Sequence, residues 1–324
     1  MTDTMGIHVE LDDRIRLLSA VLALTEWPDK QPRHGSHLHA RNTRKVLQKF
    51  APHKAVRTLQ LLLEKNAPLD ALYTLAMQFS WPEMEITTAP PWMPPHWGEM
   101  LRSFYEASRL RDWWQHEDAI WEKGIAEASK VFRDDGFPAF LRPFLGPAAD
   151  NLHFFPNVSY PTNLGVGVQR GDDYYCIAPP PLAWGDSPPW PFDEDLAYIY
   201  RTVMAVYTRL LLRQHAAEVK AASQKPIPVN EEFRVKHPEW EAQFTSLFVA
   251  GTVAIYLEDH GHDKDAKAHV LMEQKAHGMA MLPGVIHVLR RYLSEHENGR
   301  YQTIVDFLPV FPNQLRVAKR IVNL

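Results

Sequence analysis

Along the first third of the chain the apolar positions recur with a helical period. Leu11, Ile15, Leu18 and Leu22 follow i, i+4, i+7, i+11, and Asp12 and Asp13 stand at the N-terminal end, where carboxylates favour the helix dipole. A second stretch, about His53 to Lys65, turns Val56, Leu59, Leu62 and Leu63 to one side. Pro68 opens a third, with Leu69, Leu72, Tyr73, Ala76 and Phe79 as its buried stripe. Breaks as short as Asn66–Pro68 predict tightly packed antiparallel neighbours. Pro90, Pro91, Pro94 and Pro95 then forbid regular helix or central strand. They set an N-terminal helical region, 1–95, apart from the remainder, 96–324, with the whole expected to pack as one unit.

The period continues as one long helical stretch, about Trp97 to Phe132, and a short one, Phe137 to Leu145, closed by Gly146 and Pro147. The pattern then shortens. Leu152–Val158, Leu164–Gln169 and Tyr174–Ala178 are rich in aromatic and β-branched residues, and Gly171-Asp172-Asp173 supplies a turn, which predicts a small antiparallel sheet within about 151–178. Pro179 to Pro191 holds six prolines and two tryptophans, a composition for rigid extended backbone. Helical spacing returns at about Asp193–Ala222, Pro238–Glu258, Lys264–His277 and Pro283–His296, with a last helix at about Asn313–Val322. The predicted fold class is mainly α with a small central antiparallel sheet, α+β.

Composition narrows the function classes. The 324 residues are 45% hydrophobic and 11% aromatic, enough for a substantial core. Lys plus Arg number 35 against 39 Asp plus Glu, a charge of −4, which argues against a general nucleic-acid binder. Cys176 is the single cysteine, so a disulfide framework and a Cys-rich zinc module are both excluded. Asp3, Glu10, Asp12 and Asp13 precede the first basic residue, unlike a secretory signal. The apolar runs Val203–Leu212 and Phe244–Leu257 fall short of the ~18–20 residues a membrane span needs. A soluble, cytoplasmic protein with no membrane partner is the expectation.

Sixteen histidines bring metal chemistry into consideration. His34, His37 and His39 share a stretch that reads as a loop, but no carboxylate stands beside them. His260-Gly261-His262-Asp263 matches the start of the metallo-β-lactamase signature and departs at Lys264. His269, Glu273 and His277 are spaced i, i+4, i+8, so on a helix they drift only about 40° per step and share a face. Such a set can ligate zinc, with His260 or His262 reaching in; a solvated polar face is the plainer reading. Nucleophile elbow, Walker loop and dinucleotide fingerprint are all missing from the sequence. Trp113, Trp114 and Trp121 read as core, whereas Trp184 and Trp190 in the proline loop are candidates for a binding wall.

Several segments in order resemble a bacterial family of unknown-function, gluzincin-type metallopeptidase-like proteins. Leu11-Asp12-Asp13-Arg14-Ile15-Arg16-Leu17-Leu18 is similar to that family's first helix. His53-Lys54-Ala55-Val56-Arg57 with Pro68-Leu69-Asp70-Ala71-Leu72 is similar to its next helical pair. Phe140-Leu141-Arg142-Pro143-Phe144-Leu145-Gly146 resembles the approach to its metal-binding helix, and Tyr301-Gln302-Thr303-Ile304-Val305-Asp306-Phe307-Leu308-Pro309 its closing segment. The resemblance implies a gluzincin-like core behind an N-terminal helical bundle. In that family the central helix carries H-E-x-x-H: the histidines bind zinc and the glutamate activates water. Here the matching stretch, Tyr200-Arg201-Thr202-Val203-Met204-Ala205-Val206-Tyr207-Thr208-Arg209, has neither histidine nor acid. The downstream helix offers Thr245 and Ser246 where a ligand carboxylate is expected.

Two readings follow. In the first, the chain is a pseudoenzyme without a cofactor, and it binds a peptide or protein partner along the old cleft through Trp184, Trp190, Tyr200, Met204 and Tyr207. In the alternative, it is a metal-dependent hydrolase whose zinc site has moved to His269, Glu273 and His277. The first is favoured, because two histidines, the glutamate and the third ligand are all lost together.

Overall fold

A computed structural model describes residues 6–30, 38–133, 136–159, 165–181 and 188–321, with side chains as far as 318. Helix and a little sheet make up these residues. In chain order they are β1 (His8–Val9), α1 (Asp13–Ala23), α2 (Leu38–Leu47), α3 (Lys54–Glu64), α4 (Leu69–Gln78), α5 (Trp97–Ser108), α6 (Leu110–Phe132) and α7 (Gly136–Leu145). Next come β2 (Leu152–Pro156), β3 (Val166–Arg170), β4 (Asp173–Ala178), α8 (Leu196–Gln214), α9 (Ala216–Ala222), α10 (Glu231–Lys236) and α11 (Trp240–Asp259). The chain closes with α12 (Asp263–Ala276), α13 (Leu282–Glu297), α14 (Ile304–Phe307) and α15 (Phe311–Ile321). Among the described residues no helix is long and apolar enough to cross a membrane. The predicted class, mainly α with a small sheet, is the observed one.

Two compact units interleave along the sequence. One contains His8–Phe132 and His153–Asp195; the other contains Met1–Ile7, Arg133–Leu152 and Leu196–Leu324. In the first, α1 begins where Asp12 caps it, its carboxylate accepting from the Arg14 N–H at 2.8 Å. Its predicted stripe of Ile15, Leu18 and Leu22 is buried against Val56 and Leu59 of α3, Leu72 and Tyr73 of α4, and Trp97 and Phe104 of α5. One sheet face joins this core through Phe155, Val166, Val168, Tyr175 and Ile177. The same unit holds a buried polar knot. The Ser19 hydroxyl donates to Ile15 O at 2.7 Å, meets the Tyr73 hydroxyl at 2.8 Å, and accepts from Asn157 Nδ2 at 2.8 Å.

The sheet is mixed, which corrects the antiparallel expectation. Its order is β1-β2-β4-β3; β3 and β4 form an antiparallel hairpin, but β1 pairs with β2 in parallel, His8 beside His153 and Val9 beside Phe154. A two-residue strand is too short to show a period of two, so its pairing is invisible in the pattern. It is held where Glu10 N donates to Phe154 O at 3.2 Å and where the Glu10 carboxylate meets His153 Nδ1 at 2.8 Å. Gly171, at φ +61°, opens the two-residue loop between β3 and β4.

Two long helical stretches are each broken in two. Arg109 takes the left-handed conformation, φ +52°, between α5 and α6, so that Leu110 and Trp114 turn inward and are buried. His215 separates α8 from α9. His39, read with His34 and His37 as part of a loop, lies on α2 (Leu38–Leu47), where Ala40, Thr43 and Leu47 bury at helical spacing. His34 and His37 lie outside the described residues.

In the second unit α11 is the axle. From Phe244 to Leu257 nearly every side chain is buried, so the helix has no polar face along that length. The second unit packs α8, α12 and α13 around it. Gly251 permits the approach of α13, because a Cβ there would stand 2.7 Å from Leu289 Cδ1 and 3.0 Å from Val285 Cγ1. Thr303 and Asp306 form a capping box that starts α14, and the Tyr292 hydroxyl donates to Pro143 O at 2.6 Å, tying α13 to α7.

Candidate functional site

The helix α8 has two faces of different character. Tyr200, Val203, Met204 and Tyr207 are buried, each 4% exposed or less. Tyr200 closes an aromatic triangle, with ring centroids 4.6 Å from Phe137 and 4.7 Å from Tyr256. The three side chains of α8 expected to contact a partner are therefore core. Arg201, Ala205 and Arg209, spaced i, i+4, i+8, form a different stripe, and this one lines an open cleft of about 460 Å³.

The cleft belongs wholly to the second unit. Ala242, Thr245, Ser246 and Val249 of α11 form another wall, His237 and Glu239 come from the segment ahead of α11, and His277 and Met279 from the segment after α12. Its volume falls in the range of pockets that hold small ligands or short peptide segments. Local structure fixes its polar groups. His237 packs on Phe233, ring centroids 4.5 Å apart, and its Nδ1 lies 3.3 Å from the Ser246 hydroxyl. Burial, then His277, Lys236 and Arg201, push the His237 imidazole below its ordinary value, with Glu273 opposing, which favours the neutral ring. Gly278, at φ +72°, lets the chain leave α12 against α10; a Cβ there would stand 2.9 Å from the Glu232 carboxylate. Lys236 Nζ donates to Glu232 at 2.9 Å and to Ala276 O at 3.2 Å, which anchors the turn that carries His277.

Arg201 also reaches inward. Its Nη1 lies 3.4 Å from Glu273 Oε1, a carboxylate with no exposed surface, and among the described residues neither Glu273 oxygen accepts a hydrogen bond. The Thr245 hydroxyl is likewise shielded and without a hydrogen-bond partner among those residues. Arg201 is thus tethered by a buried acid at one edge while its guanidinium stays on the cleft wall.

The alternative ligand set is not drawn together. His269 is buried and its Nε2–H donates to Ala250 O of α11 at 3.2 Å. Glu273 faces Arg201, and His277 caps the C-terminus of α12 and lines the cleft. His260 bonds through Nδ1 to Tyr256 O at 2.8 Å, and His262 faces Asp265 at 3.8 Å. Among the described residues no group of three or more His, Cys, Asp or Glu is gathered as metal ligands would be. Of the proline-loop tryptophans, Trp190 is half exposed, while Trp184 lies outside the described residues. Cys176 is buried in β4. The sequence reading missed Arg201, Arg209 and His237; the arginine stripe was visible at helical spacing, whereas the His237–Ser246 contact across a loop had no signal.

No protein-family model, curated protein or solved structure matches this chain.

Proposed function

We propose that this cleft binds an acidic peptide segment of a partner protein and that the chain holds the segment without cutting it, as a pseudoenzyme on a metallopeptidase-like scaffold. The observation that carries this reading is the arginine-edged stripe of α8, Arg201-Ala205-Arg209, facing the cleft. Guanidinium groups recognise carboxylates with two parallel hydrogen bonds, and Ala205, Ala242, Val249 and Met279 supply apolar surface between the polar groups. Glu239 and Glu241 at the same cleft favour a segment that also carries a basic or amide group.

Ser246 beside His237 has the form of a nucleophile and base, but acyl transfer also needs a group that orients the imidazole. Among the described residues no carboxylate bonds to that ring. Binding without turnover is the reading the geometry supports. Calorimetric titration with pools of N-acetylated tetrapeptides, acidic or with Gln and Asn replacing Glu and Asp, tests it. The acidic pool should bind, and Arg209→Gln should weaken it about tenfold, the equivalent of about 1.4 kcal/mol. Equal heats from both pools, or release of cleaved products, would overturn it.

A further inference from the structure

The first unit holds a second cavity, of about 450 Å³, lined by Asp13, Arg16, Trp81, Tyr105, Trp114 and Asp118 among others. Its chemistry differs from that of the α8 cleft. Trp81, Tyr105 and Trp114 form a continuous aromatic wall, with ring centroids 4.9 Å apart for Trp81 and Tyr105, and 5.5 Å apart for Tyr105 and Trp114. Arg16 is 9% exposed, and its guanidinium carbon lies 4.3 Å from the Trp114 ring centroid and 4.4 Å from that of Trp121. Two indoles so close hold the guanidinium by its faces and leave its edges for hydrogen bonding.

Those edges are used unequally. Nη1 donates to Asp13 Oδ1 at 3.1 Å. Nε and Nη2 have no hydrogen-bond partner among the described residues and are shielded from water. These two nitrogens make up the side edge of a guanidinium, where a carboxylate binds through both oxygens. A buried, charged donor pair left unbonded is costly, and an incoming acceptor relieves that cost.

We infer that this cavity is a binding site for a small planar aromatic carboxylate, its ring against the Trp81–Tyr105–Trp114 wall and its carboxylate on the Nε–Nη2 edge of Arg16. Entry requires neighbouring side chains to shift, since that edge is shielded in the free protein. Arg16→Lys keeps the charge but removes the paired donors, so it discriminates two-point recognition from simple attraction.

The test is calorimetric titration of the full chain with 1-naphthoate, 1-naphthamide and 1-naphthyl phosphate. Naphthoate should bind saturably with one site, with naphthamide about tenfold weaker or worse. Arg16→Lys and Trp81→Ala should each weaken naphthoate by a similar factor, while Arg209→Gln in the other unit should leave it unchanged. Trp81→Ala alters a partly buried side chain and keeps the test open should Arg16→Lys fail to fold. Equal binding of acid and amide, absence of naphthoate binding at about 10 mM, preference for the phosphate, or sensitivity to Arg209→Gln alone would each overturn the assignment.

Discussion

Glu117 offers the sharpest single perturbation. It lies on α6, is 2% exposed, and the Ser159 hydroxyl donates to it only at 3.5 Å. Burial pushes its carboxyl up from 4.5 to about 7, against the opposing pull of the Trp121 indole, the Arg16 charge and the Ser159 contact. A folded-state value above the unfolded one means that the native protein holds the proton more tightly. Stability is therefore fully present below about pH 4.5, falls as pH rises towards 7, and levels off above it. At about 1.4 kcal/mol per pH unit, the ionised carboxylate costs about 3 kcal/mol well above neutrality. Glu117→Gln removes that ionisation while keeping shape and a partner for Ser159. Urea unfolding followed by tryptophan fluorescence should find the variant within about 1 kcal/mol of the parent near pH 5, and more stable by about 2–3 kcal/mol near pH 8.5. If the variant loses stability with pH as steeply as the parent over that interval, Glu117 is not the group responsible and the burial argument fails.

Other perturbations test the packing and the site. Gly251→Ala should destabilise the second unit by about 1–3 kcal/mol in denaturant unfolding, because the new methyl meets Leu289 and Val285 on a packed helix crossing. Ser19→Ala should cost about 1–3 kcal/mol by the same measurement, since Asn157 Nδ2 loses the hydroxyl that accepts from it. Purified, untagged protein should carry zinc well below one equivalent by elemental analysis; near-stoichiometric zinc abolished by His269→Ala or His277→Ala would instead support the relocated metal site.

Much of the helical scaffold was legible because burial imposes a period. Ile15, Leu18 and Leu22, or Leu72, Tyr73 and Ala76, are spaced as a one-sided core requires, and they are buried as expected. The misses have physical causes too. Arg109 breaks a helix without glycine or proline, paid for by burial of Leu110 and Trp114, so no local residue type announces it. α2 presents Ala40 and Thr43 inward, side chains too small or polar to draw attention to a stripe. β1 depends on a partner some 145 residues away, a pairing no local pattern encodes.

The candidate site was legible only as a negative. The lack of histidine and acid along Tyr200–Arg209 drew attention to α8, but large aromatic and sulfur side chains read there as binding groups, and Tyr200, Met204 and Tyr207 are buried in the core. Arg201 and Arg209 are long, charged and common on solvated helices, so their spacing gained meaning only once α11 and the turn after α12 stood opposite them. The His237–Ser246 contact and the Arg201–Glu273 pair join residues distant in sequence, and only the packed helices bring them together.

Photo-crosslinking tests the cleft most directly. An acidic tetrapeptide from the binding pool, carrying a benzophenone, is irradiated with the full chain and the adducts are mapped by mass spectrometry. Adducts should fall on Arg201–Arg209 and on Ala242–Val249, and should fade when Arg209→Gln is used. Adducts confined to other surfaces, such as the segment around Trp190, with the 201–209 and 242–249 stretches unlabelled, would contradict the proposed site.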